Sequence, residues 1–454
     1  MSDRDSSHGA ATLLPELLDQ IFSEVENAPQ CYKPVCSRPI RDDHLVVCNT
    51  RYSPGCNTII EDDNAILCPP PKFRILPLIR MCKWWRPVAE RRLYQSIVIR
   101  TARYPNPVDI LLRTLEGNPR LAGLVRELRM VEPVHQGPAH TQTLAGIISA
   151  CTQLSYLTLI GFVASKLALK RLQTSLSSLS SLRSLVLVQH DRWKGFNNTS
   201  HFGLCSAEEI LQWMTQWPDI EHVVVLTGAK LPPEWRTGRF SQNSLPSNNQ
   251  FPCLRTFSFL QPTTSSAPIQ ALKMAAPRLE TLRIDLEATS DWDIRDALAT
   301  WAPTLHTLHL YHSTQLVFEP QLGDLLGQLS KLRSLHTTSC LIPPEILHRC
   351  ATLEMLDYTI ETLAHVDGLI EAVPQLLKLV DLKVPTSPIE AEVSAKMRHL
   401  QEICYGRKIE FVDCVRSTPD RYSRRLNSWD DSDSDDESWR DYVTDSDGYY
   451  YSSD

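Results

Sequence analysis

The side chains in this 454-residue sequence that could do chemistry are thiols and imidazoles. Cys31, Cys36, Cys48, Cys56 and Cys68 fall close together, with His44 among them. A structural zinc site takes two close pairs of ligands, because each tight turn supplies two. Only Cys31 and Cys36 approach such a pair, with Pro34 between them, and the other gaps are irregular. Two readings stand for this stretch: a zinc site or an irregular surface loop. His306, His309, His312 and His336 form the only histidine cluster, and the pattern around them places His309 and His336 on neighbouring strands. Metal or acid–base work there needs a converging carboxylate or thiol. None is evident in the string, so a solvated face is expected. Cys340 and Cys350 have apolar neighbours, which predicts inert core thiols rather than nucleophiles. No phosphate-cradling glycine loop, nucleophile elbow or HExxH string occurs. No catalytic, metal or cofactor-binding residue is therefore expected, and the chain reads as a binding protein rather than an enzyme.

Composition narrows the class further. A 42% hydrophobic content is that of an ordinary soluble protein, and the length allows more than one domain. No apolar run reaches the roughly 18 residues needed to span a bilayer. The first dozen residues are polar with no hydrophobic signal core, and 13 cysteines spread along the chain fit buried thiols in a reducing compartment. The expected address is cytoplasm or nucleus. The net charge of −7 is uneven, with about ten acids against one arginine from Trp429 onward. The remainder is nearly neutral, which argues against a nucleic-acid footprint.

The histidines and most candidate contact residues sit in a repeat. The string apolar-x-x-apolar-x-apolar recurs as Val125, Leu128, Met130; Leu154, Leu157, Leu159; Leu182, Leu185, Leu187; Ile220, Val223, Val225; and onward through Leu305, Leu308, Leu310. Weaker copies follow at Leu332, Leu335; Leu353, Leu356, Tyr358; Leu379, Leu382, Val384; and Leu400, Ile403, Tyr405. Helical patterns fill the intervals. One is Ser206 to Trp217, where Ser206 and Glu209 make a capping box, and others are Asp291 to Ala302 and Pro344 to Cys350. Pro218, Pro252, Pro277 and Pro303 stand just before strands, where a helix must stop. A strand plus a helix per period predicts a stacked solenoid with a parallel sheet over 101–415. The named apolar positions are its core, and the residues alternating with them face out of the sheet. Thr158, Val186 and Val224 then line an early apolar stretch of the concave face, and Arg283, His309, Tyr311 and His336 a later polar one. That combination suits a protein or peptide substrate. Loops over the early residues would give the same pattern. Two long excursions carry isolated aromatics, Trp193 and Phe196, then Trp235 and Phe240. Such loops are places for binding anchors and equally for disorder.

At the amino end, over 13–100, Leu14, Leu17, Leu18, Ile21, Phe22 and Val25 form an apolar stripe at helical spacing, with Pro15 suited to the first turn. Leu78, Ile79, Cys82, Trp85, Val88 and Leu93 continue a second stripe beyond an insert at about 27–74 that ends in a stiff Pro69–Pro71 run, and Pro87 marks a break or a fresh helix start. The ordered set Leu14, Pro15, Glu16, Leu17, Leu18, Ile21, Phe22, then Cys82, Lys83, Trp85, Arg86, Ala89, then Leu93, Tyr94, Ser96, Ile97 resembles the F-box. The solenoid behind it resembles the irregular leucine-rich repeats that follow many F-boxes, although the usual asparagine after each strand is missing in most copies. The family's short turn between its first two helices is replaced here by about fifty residues. Closure entropy grows only with the logarithm of loop length, so the module accommodates them.

The resemblance implies an α/β protein: a helical F-box module, a leucine-rich-repeat solenoid of parallel strands plus helices, and a disordered acidic tail at 416–454 after a polar 1–12. It implies a substrate-recognition subunit of a Skp–cullin ubiquitin ligase. A Skp-type adaptor would sit on Leu14, Pro15, Leu17, Leu18, Ile21, Phe22, Leu78, Cys82, Trp85 and Val88, with a cullin beyond it and the transfer chemistry on other subunits. The alternative is an interaction scaffold whose interrupted module assembles no ligase. Neither reading calls for nucleic acid, membrane or cofactor. Ser428, Ser432 and Ser434 each precede an acid by three residues, which resembles acidophilic kinase sites. A merely solubilising tail has the same composition. From sequence alone, Leu18→Asp or Trp85→Ala should abolish adaptor co-purification.

Overall fold

The structure, a computed structural model, describes residues 17–18, 20, 83, 85–100, 107–131, 138–160, 166–188, 205–226, 250–260, 267–285, 291–311, 325–339, 341–360, 362–386 and 391–415. Its frame is a single parallel sheet of 12 strands whose order in space is their order in the chain. They are β1 (Ser96–Arg100), β2 (Glu127–Val131), β3 (Tyr156–Ile160), β4 (Ser184–Val188), β5 (His222–Leu226), β6 (Thr256–Leu260), β7 (Thr281–Asp285), β8 (Thr307–Tyr311), β9 (Ser334–Thr338), β10 (Met355–Thr359), β11 (Asp381–Thr386) and β12 (Glu410–Val415). Parallel neighbours cannot be joined by a hairpin, so each connection must cross back over one face. Helices do this at Pro107–Glu116, Pro138–Ala150, Lys166–Ser177, Ala207–Met214, Ala267–Ala275, Asp291–Trp301, Leu363–Ala372 and Ala391–Gly406. The result is a solenoid-like α/β repeat.

The core lies between the sheet and these helices. Register aligns the second apolar residue of each repeat across the sheet, Leu128 beside Leu157, Leu157 beside Leu185 and Leu185 beside Val223. All are fully buried, as are the leading residues Val125, Leu154, Leu182 and Ile220. Hydroxyls just ahead of several strands tie one coil to the next. Ser181 Oγ donates to the Leu154 carbonyl at 3.0 Å, Thr304 Oγ1 to Leu279 at 2.8 Å, and Thr352 Oγ1 to Leu332 at 2.7 Å. Each satisfies a backbone acceptor that would otherwise be enclosed. Trp301 closes its coil in the same way, with Nε1 donating to the Ala276 carbonyl at 2.9 Å.

Local chemistry sets the element ends. Ser206 Oγ accepts from the Glu209 N–H at 3.1 Å while the Ser206 N–H donates to Glu209 Oε2 at 2.8 Å, the expected capping box. Pro87 opens the Arg86–Gln95 helix, so it marks a fresh start rather than a break. Pro344–Arg349 is a 3₁₀ turn.

Two boundaries differ from the sequence expectation. Ser96–Arg100, grouped with the helical module by its resemblance, is the first strand of the sheet and pairs with β2 along its whole length. Leu400, Ile403 and Tyr405, expected as a last strand copy, lie in the Ala391–Gly406 helix, and Tyr405 is exposed. There Met397, Leu400 and Cys404 supply the buried helical face, so the period was 3.6 rather than 2. The true strand follows after Lys408 turns the chain at φ 60°, with the Ile409 N–H donating back to the Cys404 carbonyl at 2.9 Å.

At the amino end, Leu18, Val88 and Ala89 form their own small buried cluster with Trp85 packed against it, separate from the main core. The Arg86–Gln95 helix joins the solenoid through Glu90, which takes an ion pair from Arg86 at 2.7 Å and another from Arg120. Burial works to raise the Glu90 carboxyl, but these bonds outweigh it and hold it below its ordinary range. The cysteine-bearing insert, both aromatic excursions and the acidic tail lie outside the described residues. Trp301→Ala should lower stability by about 3–5 kcal/mol through cavity formation and the orphaned carbonyl, read from the shift in denaturant midpoint. A loss under 1 kcal/mol would contradict its place in the core.

Candidate binding trough

Because side chains alternate along a strand, burying Leu128, Leu157 and their equivalents on the helix side sends the residues between them to the opposite face. There Arg129 and Thr158 stand in register, Thr158 with Val186, Val186 with Val224, Val224 with Ser258, and Ser258 with Arg283. The row continues through His309, His336, Asp357 and Lys383. A cavity of about 630 Å³ runs along this face. It is lined by this row and by the one before it, including Glu127, Tyr156, His222, Met355 and Asp381.

The predicted apolar and polar halves are both present. Ile160, Val186, Val188, Val224 and Leu226 make an apolar cluster distinct from the main core. Beyond it the side chains turn polar and stay enclosed, with Arg283 at 1%, His309 at 3% and His336 at 6% exposure. The two imidazoles stack with ring centroids 5.1 Å apart and planes 6° from parallel. His336 Nδ1 lies 2.9 Å from Asp357 Oδ2. Burial holds His309 well below its ordinary pKa, and the Arg283 guanidinium and His336 push the same way, so its ring is neutral. Burial also raises the Asp381 carboxyl; Lys383, 3.4 Å away, opposes this, while Glu410 and Asp357 add to it.

The expected contact residues Thr158, Val186, Val224, Arg283, His309 and His336 all line the one cavity. Tyr311 ends β8 opposite Asp285, and its side chain is outside the description. Two expectations are corrected. The histidine face is enclosed rather than solvated, because neighbouring side chains stand only one strand spacing apart on a narrow concave surface. A converging carboxylate does exist, supplied by Asp357 from the next coil, 21 positions beyond His336 in sequence. Arg129, Asp357, Asp381 and Lys383 escaped the sequence reading, although each of Arg129, Asp357 and Lys383 follows the second apolar residue of its repeat, as His309 and His336 do. His306 lies at the strand edge, its carbonyl accepting from the Arg333 N–H at 2.8 Å, and His312 is outside the described residues.

Among the described residues no group of three or more His, Cys, Asp or Glu is placed to hold a metal ion. The buried Cys350 thiol is pushed up to about 12, which removes the thiolate a nucleophile needs. Cys340 is outside the described residues. No described helix is long and apolar enough to cross a membrane.

Of the expected adaptor contacts, Leu18 and Val88 are turned toward one another, with Leu18 only 3% exposed, and Trp85 is half-buried on them. Leu17 is 44% exposed. Leu14, Pro15, Ile21, Phe22, Leu78 and Cys82 lie outside the described residues. No protein-family model matches the chain, and no curated protein matches it.

His309 is neutral when folded and has an ordinary pKa of 6.5 when unfolded. Its contribution to stability is therefore present above pH 6.5 and is lost as pH falls, because only the unfolded chain takes the proton. Below that pH the unfolding free energy should drop by up to about 1.4 kcal/mol per pH unit from this group. In His309→Gln that share of the slope should vanish between pH 6.5 and 5 in denaturant titrations. An unchanged slope would contradict a neutral, enclosed imidazole.

Proposed function

We propose that this chain is an F-box and leucine-rich-repeat substrate receptor of a Skp–cullin ubiquitin ligase. The single observation that carries the reading is the trough. A rigid sheet presents side chains from many successive coils along one face, mixed apolar and polar, with no metal cluster or activated thiol among the described residues. Such a surface selects a partner by shape and charge, and the ordered F-box resemblance at the amino end gives that selection a purpose. In this reading the helices at 13–95 hold a Skp-type adaptor, the adaptor brings a cullin, and the trough holds the protein to be modified. The cytoplasm or nucleus is the matching address.

The packing also refines where the adaptor would dock. Leu18, Val88 and Ala89 build the interior of the helical module, so Leu18→Asp would unfold that module and say little about docking. Leu17, next to it and exposed, is the better contact. Burying one leucine side chain is worth roughly 1.5–3 kcal/mol, so Leu17→Asp should weaken adaptor capture by about tenfold or more. Circular dichroism and melting temperature should stay unchanged. Adaptor capture at the wild-type level by Leu17→Asp would remove the docking assignment. Adaptor without cullin in the same purification would favour the scaffold alternative.

A further inference from the structure

The floor of the trough contains two carboxylates that are each only half used. Asp357 turns Oδ2 toward His336, at 2.9 Å, and Asp381 turns Oδ2 toward Lys383, at 3.4 Å. The other oxygen of each, Oδ1, is sealed from solvent and accepts no hydrogen bond. Enclosed acceptors of this kind are uncommon and call for a donor. Register places Asp381 opposite Met355 and Asp357 opposite Lys383, so the two carboxylates are diagonal neighbours on one face. Glu410 adds a further negative charge beside Asp381. An anionic group would meet repulsion here, whereas an ammonium or guanidinium would supply donors to both Oδ1 atoms at once.

A second, separate observation fixes the size of the occupant. Ser258, fully enclosed on the same row between Val224 and Arg283, also has a hydroxyl with no hydrogen-bond partner. Beyond it lies the apolar cluster around Val186 and Val224. From Val224 on β5 to Asp357 on β10 is five strand spacings, at most about 24 Å. A small metabolite does not bridge that distance, but an extended peptide does so with about seven residues.

We infer that the trough takes an extended peptide segment of a partner protein, apolar at one end and carrying a lysine or arginine about seven residues away that donates to Asp357 and Asp381. This rests on the concave-face receptor reading above and names the class of segment it would select. The probe is a positional library of random nonapeptides on a solid support, screened with the full-length chain. Lysine and arginine should be enriched at one position and apolar residues toward the other end of the peptide. The double variant Asp357→Asn, Asp381→Asn should lose the basic preference by about tenfold while keeping the apolar one. Should that variant fail to fold, the wild-type preference decides alone. Selection of acidic residues, or of no charge at all, at that position overturns the inference and leaves the receptor reading standing. Retention of no peptide overturns both the inference and the concave-face reading, while adaptor capture reports independently on the ligase assignment.

Discussion

Leucine beside leucine across parallel strands is the contact on which the rest of the molecule depends. Each strand has a two-residue period, so fixing Leu128, Leu157, Leu185, Val223 and their successors against the helices fixes the opposite face at the same time. A slip of one residue in any coil would expose its leucine and bury its trough residue. The backbone reinforces the register just before each strand, where two consecutive N–H groups share one carbonyl of the preceding coil. Arg183 and Ser184 both donate to Ser155, and His306 and Thr307 both donate to Glu280. Charged side chains at this edge form pairs such as Arg255 with Glu280 at 3.1 Å, but they are exposed and contribute little beside the apolar rows.

Against that frame, the enclosed row from Arg283 to Lys383 is costly to build. Polar groups removed from water destabilise the fold unless they find partners, and ionised ones more so. The order along the row limits the damage, with a guanidinium, two stacked imidazoles, a carboxylate and an ammonium in succession across five strands. A neutral His309 separates the Arg283 cation from His336, and Asp357 faces His336 from the other side. Perturbed titrating groups gathered in a cavity are what a recognition or catalytic surface commonly contains. The same row gives way, three strands earlier than His336 and onward, to Ser258, Val224 and Val186, so one face carries two chemistries end to end.

Much of this was legible in the sequence, and the reasons are local. The apolar-x-x-apolar-x-apolar string located most strands because its last two positions are separated by the strand period, and the capping box at Ser206 and Glu209 located a helix start because its bonds are made within four residues. Thr158, Val186, Val224, Arg283, His309 and His336 were found because alternation alone assigns a face. What failed was non-local or ambiguous in period. Leu400, Ile403 and Tyr405 satisfy the strand string and a helical one equally well, and only tertiary packing chose the helix. The enclosure of the histidines and the approach of Asp357 depend on how tightly successive coils stack, which no single repeat encodes. The inward turn of Leu18 toward Val88 joins residues 70 positions apart, and a helical stripe cannot say whether it meets its own module or a partner.

The central claim is that this concave row, rather than the helical face, holds the partner protein. Tyr156 and Met355 line the trough and remain exposed, while Leu167 and Met274 are exposed on the helices behind it. A photoreactive amino acid placed at each of these positions in the full-length chain, in cells with the proteasome blocked, would report which face is occupied. Crosslinks to the same protein from positions 156 and 355, and none from 167 and 274, are the predicted result. Crosslinks confined to the helix positions would contradict it.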